Sequence, residues 1–442
     1  MDLAKYINFA IEKIEQAGYE AYLVGGAVRD QLLNRPVNDY DLTTSAEPEE
    51  VEEIFSSYKT LETGKAFGTI RLIIDGHCVE ITTYRTETGY DGRRPSRVSF
   101  TMSLEEDLKR RDFTINSMAY NPKTGLVDIF GGKKDLEDKV IRSIGSAKDR
   151  MKEDYLRIMR AVRFASQLDF TIDEELYQAL EEEKDGLSLI SKERIREEFD
   201  KILVSPKPSK GIGILYKLGI LEFLSKDLAR MKGFDQKSTF HSLDLYDHTM
   251  MALDNTPPVL KTRLAALFHD AGKPKTFFLD ERGEGRFFGH QNESAEILED
   301  FMKNYKYSKD MIKSTTRLVA RHMDNTNTYT LKSVRKLSRR MEDDLDLLFD
   351  LQEADVLATT EKGNLDNVKR ARALAKEIKE KDLATEESQL TINGKDLIDI
   401  GYEEGKLVGD CLAYLLERVI DDDSLNTREN LLALAKDYKG GR

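Results

Sequence analysis

A change of hydrophobic period about a third of the way along the chain restricts its fold more than any other feature. Over the first 140 residues short β-rich runs alternate with helix signals. From about Glu153 nearly all of the remainder follows a helical period, interrupted by Gly, Pro and Ser breaks such as SPKPSKG at 205–211. A mixed sheet-and-helix unit followed by all-helical ones is the expected arrangement, and the fold class is α+β. At 442 residues the chain exceeds what one core usually serves, and breaks near 143, 235 and 360 are expected to separate the modules 1–143, 144–235, 236–360 and 361–442. The chain has no repeat of fixed period and no low-complexity tract.

Hydrophobic residues make up 40% of the chain and charged residues 34%, the profile of a soluble globular protein, and no apolar run approaches a membrane span. Leu3, Ile7, Ala10, Ile11 and Ile14 fall at helical spacing, which predicts an amphipathic N-terminal helix and not a secretory signal. Cys78 and Cys411 stand far apart and outside any CxxC, which excludes a cysteine zinc site and makes the cytoplasm the expected location. With 68 basic and 81 acidic residues the net charge is −13, which argues against a protein that coats nucleic acid over its whole surface. Between Lys139 and Arg163, however, eight basic residues stand against Asp149, Glu153 and Asp154, a local +5 that would direct an anionic ligand to one region.

The segment EAYLVGGAVRDQLLNRPVNDYDLTT reads as strand, tight glycine turn, helix, loop and second strand. Gly25 and Gly26 let backbone approach a ligand closely, and the helix that follows points N–H groups at an anion such as a triphosphate. Arg29 is placed to clamp phosphate oxygens. On the second strand Asp39 and Asp41 alternate with Tyr40, so their carboxylates are expected on one face, where they can share hard divalent cations. Two Mg²⁺ ions held there would serve an in-line phosphoryl displacement. Glu80, on the next β-run, is a candidate third carboxylate. TIRLIID at 69–75 and HCVEITTYR at 77–85 flank Asp75-Gly76, a hairpin signal.

LVGGAVRD at 23–30, NDYDLTT at 38–44, KRRDFTINSMAYN at 109–121, VDIFGG at 127–132 and EDYLRIMRAVRFA at 153–165 occur in that order. Together they resemble the class II tRNA nucleotidyltransferases, which are the CCA-adding enzymes and their bacterial poly(A) polymerase relatives. The likeness covers about the first 225 residues, and LTINGKDLIDIGYEEGKLVGD at 390–410 resembles the family's C-terminal segment. It implies a polymerase-β-like nucleotidyltransferase head with a five-stranded-type sheet, then an all-α neck, body and tail. ATP and CTP are the implied substrates, and tRNA is the implied partner, its acceptor stem along the helical part and its 3′ end in the head.

In the same terms Arg111 is implied to contact phosphate or sugar, and Asp112 the ribose hydroxyls. Asp154 and Arg157, one turn apart on a helix beginning near Glu153, would face a base edge as acceptor and donor. Cytosine and adenine present an amino group to such a carboxylate, whereas uracil and guanine present a carbonyl that leaves it unpaired, at a cost on the order of 1–3 kcal/mol. Arg160 and Arg163, further along that helix, match arginines that contact nucleotide in the family. The stretch TTYRTETGYDGRRPSRVSF at 82–100 resembles the family's flexible loop, which the enzymes that add only cytidines lack. Full CCA addition and addition of the terminal adenosine alone both remain open, and a poly(A) polymerase acting on other RNA ends shares the same head.

Five of the six histidines, His241, His248, His269, His290 and His322, fall within one stretch of the helical part. RLAALFHDAGKP at 263–274 sets His269 and Asp270 at the end of an apolar helix closed by Gly272 and Pro274. With His248 before it and Asp355 after it, the pattern resembles an HD-type phosphohydrolase domain. That likeness implies a second divalent metal and a hydrolase activity. A chain that is primarily an HD hydrolase with a vestigial head is the alternative from another class, and the presence of Asp39, Asp41, Arg111, Asp154 and Arg157 argues against it.

Overall fold

The computed structural model describes residues 1, 3–37, 39–61, 64–90, 95–237, 244–325, 328–359 and 365–440. The chain forms two compact units, Met1–Leu221 and Glu222–Arg442. The first begins with helix α1 (Lys5–Gln16), which buries Ile7, Ala10, Ile11 and Ile14, the face its spacing predicts. Strand β1 (Ala21–Val24), helix α2 (Gly26–Leu32) and strand β2 (Asp41–Thr44) follow as the glycine turn predicts. After helix α3 (Pro48–Ile54) come β3 (Lys59–Leu61), β4 (Thr69–Ile74) and β5 (His77–Thr83). Asp75 and Gly76, both at positive φ, make the two-residue turn between β4 and β5.

The stretch expected as a loop holds two antiparallel strands, β6 (Arg85–Tyr90) and β7 (Pro95–Phe100); residues 91–94 lie outside the described residues. Helix α4 (Leu104–Lys109) leads to β8 (Ala119–Asn121) and β9 (Gly125–Val127). The main sheet has the order β3-β4-β5-β2-β1-β8-β9, seven strands where the family likeness suggests five. Both edge strands, β3 and β9, are three residues long. Strand β2, in the middle, runs antiparallel to β1 and parallel to β5, and its Leu42, Thr43 and Thr44 are fully buried. This central burial fixes the sheet register and therefore where Asp41 sits.

Helices α5 (Gly132–Asp138), α6 (Ala147–Glu153), α7 (Leu156–Leu168), α8 (Glu174–Glu183) and α9 (Lys192–Leu203) complete the part of this unit that bears on the site. α7 packs on α9, and α6 on α8. Gly132, the first residue of α5, lies against the backbone of residue 114: a Cβ there would stand 2.3 Å from the Thr114 carbonyl oxygen. Backbone cannot yield as a side chain does, so Gly132→Ala is expected to destabilise this unit by about 1–3 kcal/mol. Thermal unfolding should then show a Tm lowered by about 3–10 °C. An unchanged Tm would mean that α5 shifts freely.

The second unit is helical but for one two-stranded ribbon among its described residues. Helices Leu245–Asn255, Leu260–Phe268, His290–Asn304, Lys309–Arg321 and Leu345–Ala358 pack together around Leu264, Leu267, Phe268, Leu298, Leu318 and Phe349. A separate core near the C-terminus gathers Leu397, Cys411, Leu415, Leu416, Val419 and Leu431. Among the described residues no helix is long and apolar enough to cross a membrane.

Candidate functional site

Pairing between β1 and β2 ends at Val24 and Asp41, because Gly25, at φ 70° and ψ −134°, turns the chain away into α2. That backbone conformation suits glycine, and the turn is close-fitting as well, since a Cβ on Gly25 would lie 3.2 Å from Nη1 of Arg111. Asp41 is therefore the first residue of β2. Asp39 precedes the strand and is exposed, which corrects the expectation that the two aspartates alternate along it. Beyond Gly25 β1 no longer runs beside this segment. Asn38 of the same motif lies outside the described residues.

Asp41 stands in register with Glu80 on the parallel neighbour β5, so the two carboxylates share a face of the sheet. Tyr40 sets its ring edge-on to Tyr6 of α1 at 5.9 Å, and Tyr6 stacks on His77 at 4.3 Å, which ties the aspartate segment to the first helix. Although Asp41 is exposed by surface area, loss of water on its protein side raises its carboxyl pKa. Glu80 and Asp39 add to the rise and Arg111 opposes it. Glu80 is held by Arg71 at 2.6 Å.

The segment after α4 supplies the cationic wall. Nη2 of Arg111 donates to Asp107 at 3.3 Å, whereas its buried Nε meets no protein acceptor. Asp112 is 7% exposed and saturated by donors: Nε and Nη2 of Arg160 at 2.8 and 2.5 Å, the Phe113 amide at 2.8 Å and Nδ2 of Asn116 at 3.1 Å. Burial alone would raise its pKa, but Arg160 and these hydrogen bonds outweigh burial and hold the carboxyl below the usual range. In this arrangement Asp112 orients Arg160, and its oxygens are already occupied where ribose hydroxyls were expected.

Arg29 donates to Asp30 at 2.9 Å and to Asn116 at 2.6 Å. The guanidiniums of Arg29, Arg160 and Arg163 lie 5.0, 5.6 and 4.2 Å from the ring centre of Phe164. Arg163 is buried and paired with Glu198 at 3.2 Å. Burial first and Arg160 second push its pKa down to about 10.

Asp154 does not lie on a helix. α6 ends at Glu153, Asp154 is extended at φ −146° and ψ 104°, and α7 begins at Leu156. The carboxylate of Asp154 accepts from the Leu156 amide at 3.1 Å and from Arg194 at 2.9 Å, which ends one helix and starts the next. Arg157, buried, donates to Glu153 at 2.5 Å and to the carbonyls of Arg150 and Arg110 at 2.9 and 3.2 Å. The two residues expected to act as a pair are thus each held by another partner, and Glu153 and Arg194 are the residues that sequence reasoning passed over. The charge asymmetry around Arg157 was the available sign of the first; nothing marked the second.

In the second unit, helix Leu245–Asn255 carries His248, and the end of Leu260–Phe268 carries His269 and Asp270. Asp355 comes from Leu345–Ala358. Nε2 of His248 lies 3.1 Å from Asp355 Oδ1, and Nε2 of His269 lies 3.3 Å from Asp270 Oδ2 and 3.5 Å from Asp355 Oδ1. The four residues thus come together as the resemblance to an HD-type domain implied. His290 and His322, which sequence reasoning left without a role, join them at Asp270, while His241 lies outside the described residues. All four histidines are buried. Burial resists charge on His269, but Asp270 and Asp355 outweigh it and raise its pKa to about 10, whereas burial and the neighbouring His269 push His322 down to about 3. These are groups that could hold a divalent cation.

Two carboxylates in register beside a glycine turn and a cationic wall, on a mixed sheet followed by a helical unit with a buried His-Asp cluster, define a nucleotidyltransferase head joined to an HD domain. Residues 21–142 match the family model of the poly(A) polymerase head domain, and 169–232 the model described as a probable RNA- and SrmB-binding site of polymerase A. Residues 240–360 match the HD domain. The CCA-adding enzyme of Latilactobacillus sakei subsp. sakei is 34% identical over 427 residues, 96% of each chain. That of Pediococcus pentosaceus is 47% identical over 231 residues, where the match spans 52% of this chain and 58% of that enzyme. The crystal structure of the Bacillus stearothermophilus CCA-adding enzyme in complex with CTP superposes with a TM-score of 0.74 at 27% identity, covering 98% of this chain and 97% of that one. The chain belongs to the CCA-adding enzyme family.

Proposed function

We propose that this chain adds CMP and AMP to the 3′ end of tRNA without a nucleic-acid template, drawing on CTP and ATP. The observation that carries this reading is the guanidinium of Arg111. It lies beside the Gly25 turn and acts electrostatically on Asp41, and its buried Nε–H meets no protein acceptor. A buried donor without a partner costs on the order of 1–3 kcal/mol, and a triphosphate oxygen at the turn would satisfy it.

Asp39 and Asp41, with Glu80 next to Asp41, offer oxygen ligands alone, which suit a hard cation, and we assign them Mg²⁺. Bound there, the cation would offset triphosphate charge and favour ionisation of the attacking 3′-hydroxyl. Gly25 and Gly26 admit the phosphates, with Arg29 and Arg111 beside them. Asp112 fixes the direction of Arg160, and Arg160 and Arg163 supply positive charge toward the nucleotide. Asp154 would accept from the amino group of cytosine or adenine while Arg157 donates to the ring, and Arg194 and Glu153 hold the two groups before a base arrives.

The division into head (1–143), neck (144–235), HD-type body (236–360) and tail (361–442) is retained as part of this proposal. The free cysteines Cys78 and Cys411 suit a cytoplasmic site of action.

A second reading concerns the helical body. The buried set of His248, His269, Asp270 and Asp355 mixes imidazole and carboxylate donors, which suits a transition-metal ion, and we propose that the body binds one and hydrolyses phosphate esters.

Three tRNA transcripts, ending before CCA, after C and after CC, test the first reading when incubated with Mg²⁺ and with ATP and CTP, separately and together. Completion of all three is expected. Extension of only the CC-ended transcript by one adenosine would make the chain the A-adding half of a split pair. Long adenosine tails on any RNA end would make it a poly(A) polymerase.

A further inference from the structure

The ladder that holds Asp41 on both sides begins at that residue, and Asp39 precedes it. If the two aspartates are to share a cation, something other than the sheet must set the direction of the first. The connection from α2 to β2 is pinned at Arg35, whose amide donates to the Asp30 carbonyl at 2.8 Å and whose Nη1 donates to the Gln167 carbonyl at 3.2 Å. A further tie is the ring of Tyr40, which stands between the two aspartates.

Tyr40 meets Tyr6 edge-on, with the planes at 86° and the ring centres 5.9 Å apart. Tyr6 in turn lies flat against His77, with the planes at 4° and the centres 4.3 Å apart. An edge-to-face contact has a preferred direction that an aliphatic contact lacks, so it orients as well as buries. The two rings that Tyr40 leans on are anchored independently of it. Tyr6 lies in the first turn of α1 beside Ile7, and Ile7, Ile11 and Ile14 hold that helix in the core. His77 opens β5, three residues before Glu80. Val79 and Ile81 are buried while Glu80 faces the other way, and strand alternation puts His77 on the side of Val79 and Ile81. The stack therefore braces the aspartate segment from the face of the sheet opposite Asp41 and Glu80, and leaves the space in front of the carboxylates open.

We infer that Tyr6, backed by His77 and acting through Tyr40, is a positioning residue for the cation site of the head. The ring contact sets the direction of residue 40 and so places Asp39 where its carboxylate joins that of Asp41. This rests on the assignment of Asp39 and Asp41 as ligands and adds the side chains that aim the first of them. Removing a group that orients a ligand weakens a metal site by about 10- to 100-fold even though every ligand remains.

Fe²⁺ is the probe, because with ascorbate and peroxide it cuts the backbone close to where it is bound, and the fragments report which site holds it. The full chain is titrated with Fe²⁺ in the presence of CTP and without RNA, and the N-terminal fragment ending near residue 40 is measured by gel and mass spectrometry. Ions held in the helical body cut the far half of the chain and are scored apart. The Fe²⁺ concentration for half-maximal cleavage at the head is expected to rise about tenfold or more in Tyr40→Ala and in Tyr6→Ala, and to stay within about twofold in Tyr6→Phe, which keeps the ring. The Mg²⁺ concentration for half-maximal CMP addition should rise in parallel, with the rate recovered at saturating Mg²⁺. The same Fe²⁺ dependence in the unaltered chain and the alanine variants would overturn the positioning role and leave the two aspartates as ligands. No head cleavage in the unaltered chain would sink the ligand assignment and this inference with it. Because Tyr6→Ala can loosen α1, Tyr6→Leu, which keeps apolar bulk without a ring, is titrated as well, with Tm measured beside it. Weak Fe²⁺ binding at an unchanged Tm is expected; binding as tight as in the unaltered chain would mean that the ring only packs the helix.

Discussion

Replacing Asp41 by alanine is expected to cut nucleotide addition by at least about 10³-fold at saturating CTP or ATP, roughly 4 kcal/mol of transition-state stabilisation. The tRNA dissociation constant should stay within about twofold, because the phosphate contacts that dominate RNA affinity come from basic side chains and not from this carboxylate. The argument for so large an effect is positional. Asp41 is the last residue that both neighbouring strands hold, paired with Val24 on one side and Glu80 on the other. Asp39 lies outside the ladder and Glu80 is tied to Arg71, so neither can move into its place without giving up its own setting.

Stability separates this outcome from simple unfolding. The carboxyl of Asp41 has its pKa raised by loss of water and by Glu80 and Asp39. A carboxyl whose folded pKa lies above its unfolded value weakens the folded state at any pH where it is ionised, neutral pH included. Asp41→Ala and the isosteric Asp41→Asn should therefore leave Tm unchanged or slightly higher while activity falls. Product formation within tenfold of the unaltered protein, measured in single-turnover gels, would sink the assignment of Asp41 as a metal ligand.

How far the sequence foretold these sites depended on the range of the signal. The strand, glycine turn and helix around Gly25, the Asp75-Gly76 hairpin and the buried face of α1 were legible because each is set by residues within one turn or one strand of each other. The register that sets Glu80 beside Asp41 was not, since it depends on pairing between strands separated by a helix and two other strands. Asp154 was misread for a different reason. Ala147, Met151, Ile158, Val162 and Ala165 continue one apolar stripe across residues 147–168, and all are buried, so the period gives no sign of the break between α6 and α7. The break comes from tertiary packing, with α6 on α8 and α7 on α9, and from the Arg194 contact that holds Asp154 between them. His290 and His322 were visible as residues but not as neighbours, because no local pattern couples the start of one helix to the end of the next.

Arg157→Ala tests whether the protein serves as the template. Its guanidinium is held at three points, by Glu153 and by the carbonyls of Arg150 and Arg110. A group so fixed keeps its remaining edge in one direction, which is what discrimination between base edges requires. Loss of one donor to a base edge should relax the preference for CTP and ATP over UTP and GTP by about 10- to 100-fold, the range of 1–3 kcal/mol for a polar base contact. Specificity constants for all four nucleotides on a CC-ended and an unended transcript, taken beside the tRNA dissociation constant, read this directly. Arg157→Lys should behave like the alanine variant in selectivity, because a single ammonium cannot hold Glu153, two carbonyls and a base edge together. If the rates for all four nucleotides fall together and Tm falls with them, Arg157 only ties α6 to α7 and the base is chosen elsewhere. If selectivity falls while tRNA affinity and Tm hold, a guanidinium fixed by Glu153 is the reader, and Glu153→Gln should loosen base choice in the same direction.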